Sequence, residues 1–154
     1  MTMASSSENE HSLAEQLPKL QEILRAGQAA YIKPNGTSML PMLRQGIDSV
    51  VLSPVPEKLK KYDLPLYRRP DGQYVLHRIV EVGEFYTCIG DNQYVYEKGI
   101  RDDQIIAVVT SFTRGDKKIS VNNFSYRLYC RMWHYSRPIR HFARRVKRWI
   151  GRHI

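Results

Sequence analysis

The chain has 154 residues, 42% of them hydrophobic, enough for one domain with a core and some appendages. Its net charge of +9 is unevenly placed: the first 125 residues carry 15 cations and 15 acids, and the last 29 carry nine cations and no acid. The chain is therefore a neutral domain with a basic tail; two cysteines exclude a disulfide framework, and no window holds the ~20 apolar residues a membrane span needs.

Residues 1–10 are rich in Ser, Glu and Asn and are expected to be disordered. Their acids, with no apolar stretch behind them, do not suit a signal peptide. Over residues 11–27, Leu13, Leu17, Leu20, Ile23 and Leu24 recur at helical spacing, with Gly27 as the stop. Pro18 weakens the first part of that helix. "AAYIK" then reads as a strand running into the turn "PNGTS".

From Ile47 to Ile119 the chain alternates short β-rich runs with turn signals. "DSVVLSPV", "LPLYRR", "YVLHRIVEV", "EFYTCIG", "QIIAVVTSF" and "KISV" are the strands, and "PDG", "GDN" and "RGDKK" the turns. No helical period fits. Residues 28–122 are expected to form a mainly β, antiparallel domain, a half-open barrel.

Residues 123–154 form a helical tail. Its aromatic stretch "YRLYCRMWHY" suits either packing on the β domain or contact with a membrane. From Ile139 onward the apolar residues fall on an arc of about 140°, with Phe142 and Trp149 among them. Arg140, Arg144, Arg145, Lys147, Arg148 and Arg152 take the other side. Ser136 before Pro138 suits the start of this helix, and Gly151 its fraying end. An anionic membrane surface is the first expectation for such a helix. Nucleic acid is the second; it would leave the apolar face idle, and no recognition motif accompanies the charge. A partner protein is the third. The location expected is a reducing cytoplasm, peripheral to the inner membrane face.

The chemistry turns on Ser38, in "PNGTSMLPMLRQG". A serine hydroxyl needs a base to become a nucleophile, and His77 is the only histidine of the β domain. A strand histidine standing alone is ordinarily structural. An acid that fixes its imidazole must come from elsewhere in the fold; "CIGDNQYVYE" offers Asp91 and, six residues on, Glu97. Cys88 reads as a buried hydrophobe rather than a thiol nucleophile. The cysteines and histidines show no metal-ligand spacing, and no cofactor or metal is called for.

In series these stretches resemble a known superfamily, the one uniting type I signal peptidases with LexA-type self-cleaving repressors. "GTSMLPMLRQG" is similar to its serine box, "LKKYDLPLYRR" to its strand with a Gly-Asp pair, "YVLHRIVEV" to the His-Arg box of the serine-histidine signal peptidases, "CIGDN" to their Gly-Asp-Asn box and "DDQIIAVVTSF" to their closing strand. The likeness covers residues 31–112. It implies a LexA/signal-peptidase-like fold, Ser38 as nucleophile, His77 as general base, and Asp91 as the favoured orienting acid with Glu97 second. Gly36 stands where classical signal peptidases carry an oxyanion-stabilising serine, so the backbone around Gly36, Thr37, Ser38 and Met39 would supply more of the oxyanion hole. Tyr62 replaces the glycine before Asp63. The membrane span beside the serine box and the repressors' DNA-binding domain are both missing from the pattern. The expectation is a serine endopeptidase acting on a peptide or protein substrate; a catalytically silent binding domain and a self-processing protein are the alternatives.

Overall fold

A computed structural model describes residues 5–153, and the side chains from residue 13 onward. Helix α1 (Ser5–Arg25) begins earlier than expected, inside the stretch read as disordered; residues 1–4 lie outside the described residues. It continues through Pro18, because one face, Leu17, Leu20 and Leu24, is buried and tertiary packing outweighs one missing amide bond. It ends in a Schellman turn: Gly27 N–H donates to Leu24 O and Gln28 N–H to Ile23 O, with Gly27 at φ +73°.

The strands follow as β1 (Ala30–Ile32), β2 (Val50–Ser53), β3 (Pro65–Arg68), β4 (Tyr74–Leu76), β5 (Arg78–Val82), β6 (Tyr86–Ile89), β7 (Glu97–Ile100), β8 (Ile105–Arg114) and β9 (Lys117–Ser120). They make two antiparallel sheets. One runs β1-β2-β8-β3-β4, with β9 also on β8; the other runs β5-β6-β7. The fold is thus β-rich and antiparallel, as expected. Register irregularities at Val51/Leu52, Leu66/Tyr67, Ile79/Glu81 and Tyr86/Cys88 bend both sheets.

Period-2 alternation sends neighbouring residues of β3 and β8 to different cores. Leu66 and Val109 join α1, Met39, Met42 and Leu43 in the larger cluster. Tyr67 and Val108 join Ile79, Tyr86, Cys88 and Ile100 in the smaller one. Each fully buried Leu, Ile or Val stabilises the fold by ~1.5–3 kcal/mol.

Two departures matter for function. "YVLHRIVEV" is not one strand: it is β4 and β5, in different sheets, and His77 sits at the crossing between them. The tail is two helices, α2 (Phe124–Tyr135) and α3 (Arg137–His153), and Gly151 lies inside α3 rather than ending it. Asn123 caps α2, its side-chain oxygen accepting from Tyr126 N–H at 3.2 Å. No described helix is long and apolar enough to cross a membrane.

Candidate active site

Ser38 lies in the turn between β1 and β2, held from both sides. On one side Asn92 N–H donates to Ser38 O at 2.8 Å and Asn92 Nδ2 to Thr37 O at 3.2 Å. On the other, Arg114 Nη1 donates to Met42 O at 2.9 Å. Asp48 closes the loop, accepting from Arg44 N–H, Nε and Nη2 and from Gly115 N–H. Burial opposes the Asp48 charge, but the Arg44 hydrogen bond prevails and holds its carboxyl well below the usual range. Met39 is a core side chain, packed with Met42 and Leu43. Gly36 takes the left-handed φ of +85° that a residue with a Cβ adopts only at a cost.

Among the described residues, Ser38 N–H and Met39 N–H donate to no protein acceptor. Two unpaired amides flanking a serine are the donors an oxyanion requires.

The β5–β6 register pairs Arg78 with Ile89, so the chain enters this pair directly after His77 and leaves it directly before Gly90. Gly90 in turn lies against the serine turn: a Cβ built on it would stand 2.6 Å from Ser38 O. A glycine is therefore required for the two segments to approach this closely.

The imidazole is 2% exposed, and its Nδ1 faces Glu97 Oε1 at 3.1 Å. Tyr67 OH donates to Glu97 Oε2 at 2.9 Å and lies 3.3 Å from His77 Nδ1. Arg69 Nε donates to Glu97 Oε2 at 3.0 Å, and Arg69 Nη2 donates to Oε1. Burial raises the Glu97 pKa, but the hydrogen bonds from His77, Arg69 and Tyr67 together outweigh it and hold the carboxyl well below its usual range. An ionised carboxylate at Nδ1 selects the tautomer with its proton there, leaving the Nε2 lone pair for a base's work. Nε2 has no hydrogen-bond partner in the protein among the described residues.

The acid beside His77 is thus Glu97 rather than the favoured Asp91. Asp91 is fully buried and already committed: its carboxylate takes Arg78 Nε and Nη2, both at 2.8 Å, and Tyr129 OH at 3.1 Å. Arg78, 1% exposed, also donates through Nη1 to Tyr126 OH and Cys130 Sγ, each at 2.9 Å, and through Nη2 to Met42 Sδ at 3.0 Å. Desolvation works against its charge, but Asp91 prevails and raises its pKa well above normal. The His-Arg pair therefore divides its labour: His77 faces Glu97 and Tyr67, while Arg78 ties β5, the Gly90–Asn92 turn, the serine loop and α2 together. Sequence reading missed β7, whose polar "EKGI" carries no strand signal, and so missed what aims Glu97: its register opposite Cys88. Burial first, then Glu97, pushes the Cys88 thiol up to about 12, which keeps it out of nucleophilic chemistry.

No hydrogen bond joins Ser38 Oγ to His77. Beside Glu97 opens a groove of about 1060 Å³, lined by Arg69, Asn92, Tyr94, His141 and Arg144 among others. Of the tail cations expected at a membrane, Arg140 instead turns inward, its guanidinium 3.6 Å from the Trp133 ring centre and bonded to Trp133 O. Arg144 sits over the Tyr94 ring and Arg148 also lines the groove, while Arg145, Lys147, Trp149 and Arg152 remain exposed. Compared with known protein families, with characterised proteins and with solved structures, the chain shows no significant match.

Proposed function

We infer that this chain is a serine endopeptidase of the signal-peptidase-like kind, cutting a peptide or leader segment in the cytoplasm, at the inner face of a membrane. The fold is read as the half-open barrel of that superfamily, and two bent antiparallel sheets meeting at a histidine support the reading. The observation that carries it is His77 held at Nδ1 by an ionised Glu97, in a domain whose serine turn presents two unpaired amides and packs against Gly90 and Asn92.

In this mechanism His77 Nε2 takes the Ser38 Oγ proton as that oxygen attacks a peptide carbonyl. The amides of Ser38 and Met39 receive the oxyanion. His77 then protonates the leaving amine, and water repeats the sequence to release the acyl group. Glu97 acts as a positioning residue: it holds the tautomer and balances the imidazolium. Ser38 and His77 must close on each other when substrate binds, as catalytic hydrogen bonds often do.

A second reading, a catalytically silent β domain of the same fold, is favoured by the missing Ser38–His77 hydrogen bond. Mass spectrometry of a peptide mixture incubated with the full chain, beside a Ser38→Ala sample, separates the two. Products that require Ser38 establish the peptidase; identical product lists from both chains sink it. The intact mass of the chain in the same samples reports self-processing.

A further inference from the structure

Helices α2 and α3 are amphipathic the wrong way round for a protein packed only on itself. Their inner face carries Tyr126 and Cys130, which are buried, Trp133, and the guanidinium groups of Arg137 and Arg140. Their outer face carries Phe124, Leu128, Met132, Tyr135, Ile139, Phe142, Val146, Trp149 and Ile150, all exposed; Phe124 is 79% open, Met132 64%, Ile139 72% and Phe142 70%. The spacing of these residues is 4, 4, 3, 4, 3, 4, 3 and 1. Counted through the joint at 100° per residue, all nine fall within an arc of about 100°.

The joint preserves that phase. Ser136 keeps right-handed helical angles, φ −78° and ψ −7°. Its N–H donates to Met132 O at 2.9 Å, and Arg140 N–H donates to Ser136 O at 3.0 Å, so four-residue bonds run into and out of it. Pro138 removes one amide from the ladder. The two helices thus carry the apolar stripe over about 39 Å of helical path, at 1.5 Å per residue.

What borders the seam selects its occupant. Arg127, Arg131, Arg145 and Arg152 lie along one flank and Lys147 along the other, all exposed, and no acid follows Asp116 anywhere in the chain. A second copy of the chain would bring the same cations against these and repel. Nucleic acid would satisfy the cations and leave nine apolar side chains in water. An anionic bilayer surface satisfies both, with the apolar side chains at the acyl boundary and the arginines among the headgroups.

We propose that the seam formed jointly by α2 and α3, and not the terminal helix alone, is a docking surface for anionic lipid membranes. It does not depend on Ser38 chemistry, so a Ser38→Ala chain docks equally and failure of the peptidase reading leaves it standing.

Vesicle flotation of the full chain tests it, with phosphatidylcholine alone against phosphatidylcholine carrying a third of phosphatidylglycerol. Binding is expected to the anionic vesicles only. The double substitution Leu128→Gln/Met132→Gln, on α2, should weaken it about tenfold or more, as should Phe142→Gln/Trp149→Gln on α3. These side chains project into solvent, and an unchanged thermal melt confirms that each variant is folded. Equal binding to neutral vesicles, no binding at all, or loss confined to the α3 pair would each overturn the proposal. So would a dimer in sedimentation that the same substitutions abolish.

Discussion

At the residue scale, the two carboxylates near the His-Arg pair carry different burdens and should fail differently. Glu97→Gln keeps the shape of the Tyr67, Arg69 and His77 cluster but loses the charge that fixes the Nδ1 tautomer. Ser38-dependent cleavage should fall by ~10²–10⁴ in kcat, since loss of the orienting acid in a serine triad has that scale. Tm at neutral pH should fall as well, because the depressed Glu97 carboxyl contributes stability there. Asp91→Asn instead leaves the Arg78 guanidinium buried without a counter-charge. It should cost about 3–5 kcal/mol of stability, read from a denaturant melt. If Asp91→Asn proved stable but inactive while Glu97→Gln kept its rate, the assignment of the acids would have to be exchanged.

The same groups set the response to acid. Asp48 and Glu97 both have folded pKa values depressed below their ordinary 3.8 and 4.5. A depressed carboxyl contributes its stability in full above the unfolded value and loses it as pH falls toward the folded one. Tm should therefore be flat above about pH 5 and decline below about pH 4.5. Asp48→Asn should be less stable at neutral pH and show a shallower decline. A Tm that falls instead between pH 6 and 8 would contradict this.

At the scale of elements, the decisive contact is that of the Gly90–Asn92 turn with the serine turn. Gly90→Ala pushes a methyl to 2.6 Å from Ser38 O, a backbone atom that cannot swing aside. About 1–3 kcal/mol of destabilisation is expected, together with a larger loss of Ser38-dependent turnover, because the displaced atoms belong to the site. Gly36→Ala meets no atom within 4 Å and pays only for its left-handed φ, roughly 1 kcal/mol. Comparing melts and rates for the two separates a clash at the site from a general backbone cost. Strand identity here was largely legible: β2, β3, β6, β8 and β9 lie in runs rich in branched and aromatic residues between turn signals. β7 was not, since "EKGI" offers no alternation, and the break inside "YVLHRIVEV" was not, since both halves have equal strand character. Both depend on pairing partners far away in the chain.

At the scale of the whole molecule, α2 and α3 differ in what they hold. Tyr126, Tyr129, Cys130 and Trp133 of α2 meet Arg78 and Asp91 directly. α3 touches the domain mainly through His141 stacked on Tyr94, through Arg137 and Arg144 on the Tyr96 and Tyr94 rings, and through Arg140 Nη1 on Asp91 O. A chain ending after Ser136 should remain folded with a modestly lower Tm, whereas one ending after Asn123 should not fold, because it strips the partners of a buried arginine. Circular dichroism melts of both truncations decide this. Because α3 also lines the groove beside Glu97, anionic vesicles should raise Ser38-dependent cleavage of a membrane-tethered peptide above that of the same peptide free. Equal rates on both would separate membrane docking from turnover.

The sequence by itself determined the quantities that follow from local pattern. These are the concentration of nine cations in the last 29 residues, the β-rich character of the middle, the turn that carries Ser38, and the helical phase of the tail. Each is a property of residues within a few positions of one another. Tertiary structure alone decided which acid reaches His77. Asp91 and Glu97 are six residues apart and equally acidic on paper, but register turns one toward Cys88 and His77 while burial locks the other onto Arg78. It also decided which face of the tail is spent. The β domain takes the side of Trp133 and Arg140, and the apolar seam is left to the solvent because the buried Arg78–Asp91 pair accepts polar and aromatic partners where aliphatic ones would leave its charges unsatisfied.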